Sequence, residues 1–448
     1  MTDYAPCDKL PLSKPEGKNM KTPNSVSRRT FLSSAVACGS LLAMQSAGLD
    51  AAKAQSASLS IFGPLPPDPA PPGAAQFALD AFNAWKAANG SEVNYELLAW
   101  PQLHDRMATA FASGSSPWDV IYMCGWVPEF ADFLEPFADR LPNALVQDMP
   151  PSSFETVTWN GKRYGAVFTL SLLTLFFNKE HLDQAGIKEP PKDWDEFKRY
   201  TKELSRDNRF GFVANYGDPA SLGGTYWMAF LQQAGGRMFD DAGQPSFNNE
   251  HGVAALQMMI DLTAAGTDPG SISYVGINDA SNVFMSGRAS MMMNWPFMWN
   301  PAQDPKQSKV AGKLGCALLP AGPAGTASVD GTDAWVISKT SPNIGKAEKL
   351  VEFYLDKDVQ KRQALDTGWL PIRLSVLQDP EVQAKLPHAA TVLEQAKHPY
   401  NNFITPEHNQ VTQALGTEIQ KALQGQATAA EALKSAHDLV AAIVKQRG

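Results

Sequence analysis

The 448-residue chain is too long for one ordinary hydrophobic core and long enough for two lobes of α/β type. Its composition, 44% hydrophobic and 19% charged, is typical of a soluble globular protein, and its formal net charge is −8. The first 54 residues hold seven basic and four acidic groups, so the remainder has 31 basic against 42 acidic ones. This balance excludes nucleic acid or anionic lipid as the main partner, since both require basic surfaces.

The first 54 residues have the pattern of an export signal. Residues 27–32, Ser-Arg-Arg-Thr-Phe-Leu, match the twin-arginine motif at every position; an apolar stretch follows at 31–49, and Ala-Lys-Ala at 52–54 is a small-x-small cleavage site. The same stretch could instead begin a buried or membrane helix, and Cys38 raises the alternative of a lipid anchor. We expect a twin-arginine signal peptide that is removed near Ala54, and a periplasmic location.

After the signal, strand and helix patterns alternate. Short apolar runs predict strands, and apolar residues at helical spacing predict helices. In chain order these are a strand at 58–62, a helix from 77 to Gly90, a strand at 93–98, a helix at 102–112 closed by Gly114, and a strand at 120–123. This order predicts a doubly wound α/β lobe. Residues 63–73, rich in proline, fit neither a helix nor a central strand.

The rest of the chain has clear turn and cap signals. Residues 161–165 predict a turn, and 166–177 predict a long extended segment. Helical patterns follow Asp193, the pair Asn248/Asn249, and Thr428. The short polar side chains of these residues are expected to cap the first free N–H groups of three helices.

Motifs of common catalytic and cofactor sites are missing. The chain has no phosphate-binding glycine loop of the usual types, no H-E-x-x-H or C-x-x-C pair and no G-x-S-x-G elbow. Its seven histidines are scattered, so the sequence supports no metal centre and no cofactor. A glycosidase needs only two carboxylates brought together by folding, which leaves an exported carbohydrate-active enzyme open. Cys124 and Cys316, which remain after signal removal, are either a disulfide or two free thiols.

Aromatic residues are the main positive signal. Several of the eleven tryptophans lie beside turn-forming or polar residues instead of inside apolar periodic runs. Examples are Trp100, Trp126, Trp295, Trp299 and Trp369. Flat aromatic faces stack on the C–H faces of sugar rings, while carboxylates, amides or arginines bind the hydroxyls. Each such tryptophan is therefore either a core residue or a platform for a carbohydrate.

A series of short segments occurs in a characteristic order: 103–114, 118–122, 126–130, 134–137, 161–165, 175–179, 190–197, 284–292, 294–297, 338–343 and 368–375. Together they resemble the extracellular solute-binding proteins of ABC importers, in the carbohydrate group that includes maltose-binding protein. Each segment is a weak signal by itself, and their shared order along the mature chain carries the resemblance.

The resemblance implies an α/β, two-lobe periplasmic-binding-protein fold (type II-like), with the ligand in the cleft between the lobes and closure by a hinge motion. Three crossing segments are expected, at 166–175, 316–321 and 365–368. With residues 1–54 as the signal peptide, one lobe would be 57–168 plus 320–365 and the other 169–319 plus 366–448.

The resemblance also implies ligand contacts from loops at strand ends that face the cleft. With two tryptophans from the aromatic pattern, the predicted ligand-binding residues are Trp100, Trp126, Ser171, Tyr226, Trp227, Trp295, Phe297, Trp299, Asp333, Trp369 and Arg373. Asp333 and Arg373 would bind hydroxyls, and the aromatic residues would sandwich a sugar ring. The alternative for Arg373 is a salt bridge that closes the lobes, and for Asp333 a plain turn residue. Residues 63–73 depart from the family in their prolines, so no contact is assigned to them.

The implied protein is a monomer without cofactors or catalytic activity. It would capture a mono- or oligosaccharide or a polyol and deliver it to the membrane permease subunits of an ABC importer. One alternative is the same fold binding a glycerol-phosphate-type solute, a polyamine or ferric iron. The other is the exported carbohydrate-active enzyme.

Overall fold

The computed structural model describes residues 58–64, 74–217, 222–276, 278–399 and 405–446. The predicted signal peptide and most of the proline-rich segment lie outside these residues. Within them the strands are β1 (Ser58–Pro64), β2 (Glu92–Leu98), β3 (Val120–Met123), β4 (Leu134–Glu135), β5 (Thr158–Trp159), β6 (Lys162–Arg163), β7 (Gly165–Val167), β8 (Thr174–Asn178), β9 (Phe210–Val213), β10 (Ala289–Asn294), β11 (Leu314–Ala317) and β12 (Ala334–Ser338).

The helices in the described residues are α1 (Ala74–Asn89), α2 (Leu103–Phe111), α3 (Val127–Phe130), α4 (Asn143–Val146), α5 (Lys179–Gln184), α6 (Trp194–Leu204), α7 (Leu222–Gln233), α8 (Glu250–Gly266), α9 (Asp279–Met285), α10 (Trp299–Gln303), α11 (Ile344–Tyr354), α12 (Lys357–Thr367), α13 (Leu374–Leu377), α14 (Pro380–Lys385), α15 (Ala389–Gln395), α16 (His408–Leu423) and α17 (Ala429–Lys445). Short 3-10 turns at Trp100–Gln102, Ala131–Phe133, Phe137–Arg140, Pro151–Val157, Pro269–Ile272 and Pro296–Met298 join several of them.

A first sheet has the strand order β2-β1-β3-β12-β4, with β7 also paired to β12. β1 pairs in parallel with β2 and β3, as the predicted doubly wound pattern requires, whereas β12 is antiparallel to β3, β4 and β7. All four residues of β3 are buried, which is typical of a strand covered on both faces.

A second sheet has the order β11-β8-β10-β9. β10 is parallel to β9 and antiparallel to β8, and β11 is antiparallel to β8. The long extended run at 166–177 is therefore divided. Its start is β7 of the first sheet, and its end is β8 of the second. Two sheets with helices around them confirm the predicted two-lobe α/β class.

Three stretches of chain lie side by side between the sheets. The Leu170 N–H donates to Leu370 O at 3.0 Å, and Thr169 is bridged to Pro371. The Leu173 N–H donates to Val329 O at 3.2 Å. Residues 169–173 are thus hydrogen-bonded to the other two connecting stretches.

The buried apolar residues form two groups. The first surrounds the first sheet, with Phe62 and Trp335 among its members, and also covers one face of the second sheet through residues such as Met292. The second group, which includes Phe212 and Trp227, covers the other face of the second sheet. Helices α16 and α17 pack on α8, beside the second sheet.

Helices α13 and α14 pack instead against α12, which itself packs on α1 beside the first sheet. The lobe boundary placed at residue 366 stays a prediction. This packing favours a boundary further along the chain.

The predicted helix caps are confirmed. The Asp193 carboxylate accepts the Glu196 N–H at 2.9 Å, and the Asn249 side chain accepts from the first turn of α8. Thr428 and Glu431 form a complete capping box at the start of α17. Each cap satisfies N–H groups that have no partner inside the helix.

Candidate functional site

In the first sheet, the direction of the strands places the predicted site residues at one edge. Met123 at the end of β3 is paired with Ala334 at the start of antiparallel β12, and Ala334 is also paired with Val167 at the end of β7. Asp333 and the residues after Met123 therefore emerge at one edge of the sheet. Gly125, with φ +70°, turns the chain there and leads it to Trp126.

In the second sheet, Asn294 at the end of β10 is paired with Thr174 at the start of β8. Trp295 and Ser171 lie just beyond these two residues, at a single edge. Ligand sites of open α/β sheets commonly lie at the carboxyl ends of parallel strands. Both β3 and β10 end at the edges where the predicted residues are found.

The turn at 330–333 joins the two edges. The Gly331 N–H donates to Ser171 O at 2.7 Å, and Asp330 is bridged to Leu172. The Trp295 indole lies directly against Gly331. A Cβ atom placed on this glycine would be 2.2 Å from Trp295 Nε1. The structure thus brings Ser171, Trp295 and Asp333 together around one turn.

This turn holds two buried carboxyl groups. The Tyr122 hydroxyl donates to Asp333 Oδ1 at 2.5 Å, and the Thr332 N–H donates to Asp330 Oδ1 at 2.9 Å. Burial disfavours the ionised forms, and it raises the pKa of Asp333 to about 7 and that of Asp330 to about 6 despite these hydrogen bonds. Each of these two buried carboxyl groups can donate a hydrogen bond when it is protonated and accept one when it is ionised.

Aromatic residues form a corner on the side of the first sheet. Trp100 and Trp126 have ring centroids 5.7 Å apart, and the His104 ring is edge-on to Trp126 at 5.4 Å. Trp100 keeps 39% of its surface exposed, whereas Trp126 keeps 7%. The Trp100 face is the larger solvent-accessible aromatic surface of this corner.

A polar contact extends this corner to α16. His104 Nε2 lies 2.9 Å from the Glu129 carboxylate, and His104 Nδ1 lies 3.3 Å from Asn409 Nδ2. Burial lowers the pKa of His104, but the hydrogen bond to Glu129 and the charge of that carboxylate outweigh it, so the pKa is raised. His104 is on α2, beside the first sheet. Asn409 is in the first turn of α16, which packs beside the second sheet. The contact therefore connects the two lobes.

The Trp295 indole has an unused donor. Its Nε1 is buried and makes no hydrogen bond among the described residues. Nearby in sequence, the Phe297 ring is stacked on Trp369, with centroids 5.8 Å apart. The loop after β10 thus meets the stretch after α12, and a bound acceptor oxygen would satisfy the Trp295 N–H.

Several predicted site residues lie elsewhere. Tyr226 and Trp227 are fully buried in the second core group, where the Tyr226 hydroxyl donates to Met293 O and the Trp227 indole to Gly252 O. Trp299 is stacked on the buried His388 ring at 4.4 Å. These aromatic residues serve packing, because their faces are already covered.

Arg373 forms a salt bridge, but not one shown to close the lobes, which was the alternative considered from the sequence. Its Nε donates to the Asp148 carboxylate at 2.8 Å and its Nη1 to Leu355 O. Burial opposes ionisation of Asp148, yet hydrogen bonds from Ser375 and Arg373 lower the pKa of this carboxyl group. The pair ties the turn before α13 to the loop after α4.

Tyr122, His104, Glu129 and Asp330 also belong to the candidate site, and they were not predicted from the sequence. A signal existed for Asp330, since it lies three residues before Asp333 in a turn with Gly331. Nothing in the local sequence marks the other three, because strand pairing and helix packing bring them to the site.

The described residues include two cysteines and no cluster of metal ligands. Cys124 and Cys316 are free thiols. In the described part of the chain, no group of three histidine, cysteine or carboxylate side chains is placed to hold a metal ion. No helix of the same residues combines the length and apolar character needed to cross a membrane.

Comparison with known proteins identifies the family. The family model of the bacterial extracellular solute-binding proteins matches residues 69–361. A probable amino-acid ABC transporter periplasmic-binding protein of Sinorhizobium fredii is 26% identical over 316 residues, which cover 68% of this chain and 72% of the relative.

Solved structures agree. The maltose-bound MalE3 of T. maritima has a TM-score of 0.76 and 26% identity, covering 85% of this chain and 98% of its own. An ABC transporter solute-binding protein of Thermotoga lettingae bound with α-D-tagatose has a TM-score of 0.76 and 27% identity, covering 87% and 100%. The chain belongs to the bacterial extracellular solute-binding proteins, which are the solute-binding components of ABC transporters.

Proposed function

We propose that this solute-binding protein captures a neutral sugar or polyol between its two sheets and hands it to the permease subunits of an ABC importer. It acts as a periplasmic monomer, reaches the periplasm by the twin-arginine route and leaves the ligand chemically unchanged. The observation that carries the proposal is the turn at 330–333, where two buried carboxyl groups and the unpaired Trp295 N–H lie together. The hydroxyl groups of a polyhydroxylated ligand can donate to these carboxyl groups and accept from the Trp295 N–H.

The aromatic corner supports the same ligand class. The exposed face of Trp100 beside Trp126 and His104 provides an apolar surface for the C–H face of a sugar ring. Similar proteins named for maltose and tagatose agree with this class. The relative named for amino acids makes free amino acids the necessary comparison ligands.

Two alternatives are less well supported. A phosphate-bearing ligand would require free guanidinium groups in the cleft, but Arg373, the arginine predicted there, is held by Asp148 at 2.8 Å. A glycosidase places its two carboxyl groups on opposite sides of the scissile bond. Asp330 and Asp333 instead belong to one short turn.

The test is calorimetry of the purified protein against monosaccharides, oligosaccharides, polyols and free amino acids. We expect at least one sugar or polyol with a Kd below about 100 μM, equivalent to about −5.5 kcal/mol. Recovery of the ligand intact after incubation separates capture from hydrolysis. If no sugar or polyol reaches this affinity, or an amino acid alone does, the proposal is wrong.

Matched variants locate the site. Trp100→Ala is expected to weaken binding about tenfold through loss of stacking, and Leu439→Ala, at a similarly exposed position on α17, to leave it unchanged. Asp333→Asn removes the carboxylate with little change of shape. We expect it to bind more weakly at pH 8, where wild-type Asp333 is ionised, with a smaller difference at pH 6.

A further inference from the structure

The second sheet has an open concavity of about 670 Å³ at the edge opposite the candidate site. Its lining comes from the connection between α6 and β9, from the end of α8 and from Arg288 just before β10. β10 begins here at Ala289 and ends at Asn294, beside Trp295. The concavity is therefore separate from the sugar site by the length of this strand.

Two arginines face each other across a tight turn at this edge. Arg206 and Arg209 form an antiparallel bridge, and the Arg209 N–H donates to Arg206 O at 3.0 Å. Between them, Asp207 and Asn208 have φ of 57° and 60°, the left-handed conformation that Asp and Asn tolerate best. Directly opposed residues extend from the same face of a ribbon, and like charges in such a pair destabilise it. Burial and the charge of Arg206 lower the pKa of Arg209.

A third guanidinium enters from the neighbouring strand. The Phe210 N–H donates to Arg288 O at 2.8 Å, and the Arg288 guanidinium lies 5.9 Å from the centroid of the Phe210 ring. Arg209 Nη1 donates to the Gln184 side chain at 3.2 Å, which leaves further N–H donors of that group available. The three arginines line one concavity.

Their charge is not balanced by ion pairs. In the described part of the chain, Arg206, Arg209 and Arg288 form no salt bridge with a carboxylate. Asp207, which also lines the concavity, is an exposed residue of the turn itself. The concavity is thus lined by three arginines and one aspartate, and the Glu180 carboxylate, which is paired with Lys313, acts on Arg209 from outside the lining.

We propose that this concavity, defined by Arg206, Arg209 and Arg288, binds a phosphate group. Guanidinium groups bind phosphate oxygens in bidentate fashion, and a doubly charged anion relieves the repulsion between the opposed arginines. The open side leaves room for a larger group attached to the phosphate. The source is either free inorganic phosphate or the headgroup of an anionic lipid, since both present the same oxygens.

The test is titration of the purified protein with sodium phosphate at low ionic strength, against sodium chloride of equal ionic strength. Calorimetry measures affinity, and thermal unfolding measures stabilisation. The variants are Arg206→Gln/Arg209→Gln and Arg288→Gln. The control is Arg199→Gln, an exposed arginine of α6 that is paired with Glu196. Sedimentation with phosphatidylglycerol–phosphatidylcholine vesicles and with pure phosphatidylcholine vesicles tests the lipid source.

We expect phosphate, and not chloride, to bind and to raise Tm, with affinity reduced at least tenfold in the double variant and in Arg288→Gln and unchanged in the control. Sedimentation with phosphatidylglycerol vesicles that requires the same arginines would identify a headgroup as the source. The proposal is overturned if phosphate changes heat and Tm no more than chloride does and the protein does not sediment with phosphatidylglycerol vesicles. It is also overturned if the arginine variants bind phosphate or these vesicles as tightly as the wild type does. Sugar binding by these variants should stay at the wild-type value, so this outcome is independent of the function proposed above.

Discussion

At the scale of single residues, Gly331 decides how the Trp295 indole can lie. The indole occupies the space that a side chain at this position would take, since a Cβ atom there would come within 2.2 Å of Nε1. The backbone N–H of the same residue is bound to Ser171 O, so the turn cannot easily move away. Position 331 thus couples the loop after β10 to the two aspartates.

The substitution Gly331→Ala should weaken ligand binding at least tenfold, because the methyl group displaces the indole from the turn. Calorimetry with the ligand found for the wild type measures the change. Gly345→Ala is the matched control, since a Cβ atom at this position on α11 meets no atom within 4 Å. Equal affinities of wild type and Gly331→Ala would show that the contact between Trp295 and the turn plays no part in binding.

His388 is a second residue with a defined consequence. Its ring is stacked on Trp299, both ring nitrogens lack a hydrogen-bond partner among the described residues, and burial lowers its pKa to about 3. The unfolded chain takes up a proton here near pH 6.5, while the folded chain does not. The stabilisation of the folded chain that comes from neutral His388 is thus complete above pH 6.5, and it decreases as the pH falls from 6.5 toward 3.

His388→Phe keeps a ring on Trp299 and removes the titration. Relative to wild type, the variant should gain about 2 kcal/mol in the free energy of unfolding between pH 8 and pH 5, or 1.36 kcal/mol per pH unit below 6.5. Urea unfolding at the two pH values measures this. Leu439→Ala, at an exposed position that does not titrate, should show no such gain. A difference between wild type and His388→Phe that is the same at both pH values would contradict the assignment.

Residue-level prediction from the sequence succeeded where the partner is near and failed where it is distant. The caps at Asp193, Asn249 and Thr428 were predictable, because each bonds within three residues of itself. The burial of Trp227 was not predictable, since a tryptophan beside polar residues looks the same whether packing covers its face or not. The Arg373–Asp148 pair joins residues 225 positions apart, and no local pattern reveals it.

At the scale of elements, the start of α16 is the part of the second core group that reaches the aromatic corner. Asn409 in its first turn lies 3.3 Å from His104, across 305 positions of sequence. When Nδ1 of the His104 imidazole carries no proton, the Asn409 amide N–H donates to this nitrogen. The hydrogen bond exists only when the two sides of the cleft are together, so it stabilises the closed form over an open one.

Asn409→Ala should therefore weaken ligand affinity by up to about tenfold, the effect of one hydrogen bond of 0.5–1.5 kcal/mol. The neighbouring Gln410→Ala, at an exposed position of the same turn, should have no effect. Calorimetry of both variants at pH 8 is the measurement. Weakening by the two substitutions alike would assign the effect to the helix start instead of the contact.

Element type and order were largely predictable, because strands such as β3 are short apolar runs and helices such as α17 have complete apolar faces. The division of 166–177 into β7 and β8 was not, since both halves are buried and extended and only their different partners separate them. The position of α13 and α14 beside α12 depends in the same way on tertiary packing.

At the scale of the whole molecule, the two sheets are connected by three stretches that hydrogen-bond to one another around residues 169–173. Connecting stretches of this kind can act as a hinge for rotation of one lobe against the other. The contact between His104 and Asn409 lies outside these stretches and joins the two sides. Without ligand, the protein in solution is expected to populate a more open form.

Small-angle X-ray scattering should show a radius of gyration that falls from the ligand-free to the ligand-bound protein, toward the about 22 Å typical of a compact chain of 448 residues. Ligand at about 100 times its Kd should add about 2.7 kcal/mol to the free energy of unfolding and raise Tm by about 3 °C. A sugar that does not bind in calorimetry is the control. An unchanged radius of gyration together with a raised Tm would mean binding without closure.

The position of β12 has a consequence for synthesis. β12 pairs with β3, β4 and β7 in the first sheet, yet it comes from residues 334–338, whereas the second sheet is complete at residue 317. During translation the later sheet can therefore be finished first, while β3 keeps an unpaired edge of the kind that promotes aggregation. A chain that stops between residues 317 and 334 would carry one complete sheet and one open sheet, which makes such truncated products natural targets for chaperones and proteases.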